Sequence, residues 1–86
     1  MNIIYTISRY EFIEKSKFLV GFRISDDFEN TAYLETVLTT AEISGKTQQE
    51  ICQLAYENLK PKIQEIKENF ALQQASIEGY QFHPIE

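Results

Sequence analysis

The chain has 86 residues, 43% of them apolar and 24% charged, so surface scaling lets it bury about 64% of its unfolded surface, enough for one domain over 1–86. Three Gly and two Pro exclude disordered, collagen-like and low-complexity chains, and no apolar run approaches the roughly 18 residues of a membrane span. Thirteen acidic against eight basic residues, a net charge of −5, argue against nucleic acid and anionic membranes as partners, because binding there needs clustered Lys and Arg.

The first half of the chain reads as strands. Ile3, Tyr5 and Ile7 alternate, then Tyr10 and Phe12 alternate in the opposite phase. A phase change near Arg9 predicts a bulge or a bend there. Glu14-Lys15-Ser16-Lys17 is a polar turn. Phe18, Val20, Phe22 and Ile24 then give the cleanest period-two pattern in the chain. Ser25 to Asn30 is a second turn, rich in side chains that bond their own backbone. The segment 31–43 carries both signals. Leu34, Val37, Leu38 and Ala41 have helical spacing, whereas Thr31, Thr36, Thr39 and Thr40 favour a strand. A short turn after a strand favours a hairpin partner, so we assign strand.

The second half reads as helix. Thr47-Gln48-Gln49-Glu50 is a capping box, in which Thr47 and Glu50 bond each other's main-chain amides. Ile51, Ala55, Leu59, Ile63, Ile66 and Phe70 follow as a single apolar stripe. Pro61 lacks a donor and crowds the carbonyl four residues back, so one helix kinked at Pro61 and two helices split there both stay open. The segment 77–86, with Tyr80 and Phe82, is an edge strand or a flexible tail. The predicted fold is α+β: a three-stranded antiparallel meander at 2–13, 17–25 and 31–42, packed against a C-terminal helix at 48–74.

Chemistry is sparse. One cysteine and one histidine, Cys52 and His83, cannot build a Cys/His zinc site or an internal disulfide, and no acidic loop has calcium spacing. We expect no metal, no cofactor and no enzyme. A lone cysteine together with the absence of a signal-peptide pattern at Met1–Ile4 points to the cytoplasm. Ser44-Gly45-Lys46-Thr47 resembles the end of a phosphate-binding loop, but Thr40 stands where that motif needs its first glycine. A turn glycine followed by a capped helix explains Gly45, Thr47 and Glu50 together and is the preferred reading. A weak nucleotide or phosphate site at Gly45, Lys46 and Thr47 is the alternative function.

The run Glu42 to Ile51, followed by Ala55-Tyr56 and Leu59-Lys60-Pro61, resembles short prophage-encoded proteins of unassigned role. The resemblance covers about a fifth of the chain and implies an intracellular accessory or assembly role, with no functional residue attached. The sequence thus predicts a small protein-interaction or structural module. One helix can cover only one sheet face and a three-stranded sheet has two open edges, so we expect a homodimer through the sheet, or an unidentified protein on the same surface. Phe18, Val20 and Phe22 are its expected contact residues, and the tail is a candidate cover for one edge.

Overall fold

The computed structural model describes residues 2–74 and 79–85. Strands β1 (Ile4–Glu14), β2 (Lys17–Ser25) and β3 (Thr31–Thr39) are followed by a one-turn helix α1 (Thr40–Ile43) and a long helix α2 (Gln48–Gln74). The strands pair antiparallel in the order β1-β2-β3. This is the expected α+β meander with a C-terminal helix.

The phase change in β1 is a bulge. Tyr5 stands opposite Ile24 and Ile7 opposite Phe22, but Arg9 is opposite Gly21 and Tyr10 opposite Val20, which leaves Ser8 as the extra residue. Side chains three apart in a regular strand project to opposite faces. Skipping Ser8 instead puts Ile7 and Tyr10 on one face, so Tyr5, Ile7, Tyr10 and Phe12 all point the way of Val20, Phe22 and Ile24. That shared face is the one α2 packs against.

The doubt over 31–43 resolves in two parts. Residues 31–39 form β3, with Leu38 opposite Phe18 and Leu34 opposite Phe22. The expected strand, however, runs three residues too far. Thr39, the last residue of β3, is also the N-cap of α1: its Oγ1 accepts from Glu42 N–H at 3.2 Å while its own N–H donates to Glu42 Oε1 at 2.8 Å. This second Thr-x-x-Glu box overrides the strand preference of Thr40.

Helix α2 is continuous across Pro61, which rules out the two-helix alternative. Pro61 lies on the exposed side, where water can satisfy the carbonyl that loses its donor. The predicted stripe is the buried face: Ala55, Leu59, Ile63 and Phe70 are buried, and Ile51 and Ile66 partly so. They pack with Val20, Phe22, Ile24, Leu38 and Ile43 as the core. Each fully buried aliphatic or phenyl side chain contributes about 1.5–3 kcal/mol. The described part of the tail, 79–85, forms no strand, and Tyr80, Phe82 and Ile85 are exposed. The edge strand expected within 77–86 is therefore absent from 79–85, while 77, 78 and 86 lie outside the described residues.

Candidate functional site

Where α2 crosses the sheet decides what the sheet leaves open. The helix runs closest to β3, and Asn58 Nδ2 reaches Thr36 Oγ1 on that strand at 3.4 Å. Strand β1 lies two strands away and keeps a helix-side strip bare. Ile7 is 38% exposed, Tyr10 48% and Phe12 62%. Tyr10 stacks on Phe18 with ring centres 5.3 Å apart, and Phe12 meets the same ring edge-on at 5.6 Å. These geometries fix the rings against one another without removing them from water.

Between this strip and α2 runs a groove made of two adjoining cavities that share Ile7 and Cys52. One, of about 430 Å³, lies between Tyr5, Phe22 and Tyr56. The other, of about 490 Å³, is bounded by Tyr10, Val20, Lys46, Gln48 and Ile51. Tyr5 closes the first end, with its ring edge-on to Tyr56 at 5.6 Å and to Phe22 at 6.3 Å. The groove has an apolar floor and a wall of amides with a single cation, Lys46.

Two of the expected contact residues are not available to a partner. Val20 and Phe22, at 0% and 3% exposure, lie beneath α2, because alternate residues of the central strand point at the face the helix covers. Phe18 is half-buried at the border of the bare strip. The bare apolar strip of the helix-side face lies on β1, at Ile7, Tyr10 and Phe12, and not on β2, where the contact residues were expected. The bulge was the signal that would have located it, since it returns Tyr10 and Phe12 to the helix face.

At Gly45, Lys46 and Thr47 the geometry is that of a turn and a cap. Gly45 has φ 74°, in the left-handed region that favours glycine. Lys46 N–H donates to the Ile43 carbonyl at 3.1 Å. Thr47 N–H donates to Glu50 Oε1 at 3.0 Å, and Glu50 N–H to Thr47 Oγ1 at 3.2 Å. The Glu50 carboxylate thus occupies the helix N-terminus where a phosphate would bind. The Thr47 main-chain amide, then its hydroxyl, and then the nearby Lys46 charge hold Glu50 below the usual carboxylate range.

Cys52 is half-buried in the groove wall and His83 is exposed in the tail. Among the described residues no three His, Cys, Asp or Glu side chains converge on a common point. No helix among them is long and apolar enough to cross a membrane. Comparison with protein families, with curated proteins and with solved structures gives no match.

Proposed function

We propose that this chain is a small non-enzymatic accessory or structural module that acts by contact, in the cytoplasm, on itself or on another protein. The prophage origin implied by the resemblance is part of the same proposal. The observation that supports it is the bare strip of Ile7, Tyr10 and Phe12 beside α2. Clustered apolar surface that the fold leaves in water is a mark of protein contact sites. The alternative, a nucleotide or phosphate site at Gly45, Lys46 and Thr47, is disfavoured by the Glu50 carboxylate already bound there.

A photo-reactive phenylalanine analogue at position 12, activated in cells that make the protein, tests the reading. Adducts of defined mass, with itself or a second chain, are expected, and they should be absent with the same analogue at exposed Lys62. No adduct from position 12 overturns the reading. Titration with ATP and magnesium tests the alternative: resonance shifts confined to 44–48 that vanish in Lys46→Ala would replace the contact reading with a nucleotide-binding one.

A further inference from the structure

We propose that the open edge of β1 pairs antiparallel with β1 of a second copy, in the register that sets Tyr10 opposite itself. The inference rests on the contact reading and adds the partner and the geometry. β1 is an 11-residue edge strand that pairs with β2 on one side only among the described residues. Its other side is a row of backbone donors and acceptors beside the bare apolar strip, a template for a further strand.

Charge selects the register. Between Ile7 and Phe12 the charged residues are Arg9 and Glu11, which share the face away from α2 and are bonded to each other. In a two-fold antiparallel pair, residues directly opposite point to the same face. A two-fold through Arg9 sets Arg against Arg, and one through Glu11 sets Glu against Glu. Parallel pairing brings each charge alongside its own kind. A two-fold through Tyr10 sets Arg9 of each copy against Glu11 of the other. Like charges directly opposite destabilise a strand pair and opposite charges stabilise it.

The other face agrees independently. Ser8 drops out of the ladder with β2, which places Ile7 next after Arg9. If Ser8 drops out of the new ladder in the same way, Ile7 of one copy stands opposite Phe12 of the other. The helix-side face then reads Ile7–Phe12, Tyr10–Tyr10, Phe12–Ile7 across the two-fold. Residues 38–62% exposed in one chain are brought together by the register the charges require. The result is a six-stranded sheet with both α2 helices on one face and the two bare strips merged between them.

Sedimentation of the full chain over a wide concentration range is the test. The mass should rise towards that of two chains. Glu11→Arg should raise the concentration of half-association roughly tenfold or more at low salt, as should Arg9→Glu. Mixing the two variants should restore pairing, because each then faces the opposite charge. Tyr10→Cys in a Cys52→Ser background should oxidise to a disulfide-linked dimer, while Arg23→Cys in that background should not, and this result does not depend on how either charge variant folds. A single-chain mass at every concentration overturns the inference but leaves the contact reading to its own cross-linking test. A dimer indifferent to Glu11→Arg, or no link through position 10, overturns this register.

Discussion

Arg9 and Glu35 meet across the sheet at 3.1 Å by reaching over Gly21, the residue that stands between them in the central strand. Arg9 also bonds Glu11 on its own strand, and the two carboxylates, Glu11 first, raise the guanidinium pKa above its ordinary value. A side chain at Gly21 would occupy the space the bridge spans. An added Cβ would lie 3.2 Å from Ser8 Oγ and 3.3 Å from Arg9 Cβ. Gly21→Val should therefore destabilise by about 1–3 kcal/mol, in spite of valine's strand preference, by crowding Ser8 and Arg9. Urea melts of the variant check it, and unchanged stability would mean that the bulge yields freely.

Two positions on the helix-side face of the β1–β2 hairpin, one beneath α2 and one beyond it, should respond differently to charge. Phe22→Asp buries a carboxylate among Val20, Ile24 and Leu59 and should abolish cooperative folding. Phe12→Asp, at a position that is 62% exposed, should change stability by no more than about 0.5 kcal/mol and should remove association. Thermal melts with sedimentation of the same samples separate the two effects.

Both capping glutamates link stability to acid. Glu42 and Glu50 are held below the usual carboxylate range, first by the main-chain amides of Thr39 and Thr47 and then by their hydroxyls. A lowered folded pKa means the contribution is fully present above the unfolded value of about 4.3 and is lost as pH falls through the folded value. Glu50→Gln should thus flatten the acid side of the stability profile below about pH 4.3 and leave its shape between pH 6 and 8 unchanged. Thr47→Ala removes the reciprocal bond and should cost about 0.5–2 kcal/mol at neutral pH. Denaturant melts across pH measure both.

Pro61 offers a change in the stabilising direction. It stands within an uninterrupted α2 on the exposed side. Pro61→Ala restores a main-chain donor to the Glu57 carbonyl and removes the ring's clash with it, so the variant should gain up to about 3 kcal/mol. A loss on urea melting would show that the proline serves packing that alanine does not reproduce.

Asp26 organises the β2–β3 turn. Its Oδ1 accepts from the amides of Phe28 and Asn30, each at 2.9 Å, and Oδ2 accepts from Asn30 Nδ2 at 2.9 Å. The residue is only 8% exposed, so Asp26→Ala strands amides that water reaches poorly and should cost about 1–3 kcal/mol. Amide exchange at Phe28 and Asn30 should speed up in the variant.

Local patterns carried most of the fold. The alternation of Phe18 to Ile24, the Thr47–Glu50 box and the stripe from Ile51 to Phe70 each depend on neighbours within a few turns, and each element formed at its expected residues. The bulge was legible as well, since a phase change in hydrophobic alternation has few other causes. Thr40 to Glu42 were misassigned because strand propensity and a capping box competed there, and the cap won once Glu42 had curled back onto Thr39. The bare apolar strip depended on tertiary structure. The sequence alone determined that one apolar helix face would meet one apolar sheet face. Where α2 crosses that sheet was decided by packing of Ala55, Leu59 and Ile63 against the central strand and β3, and this buried Val20 and Phe22 while leaving Tyr10 and Phe12 in water.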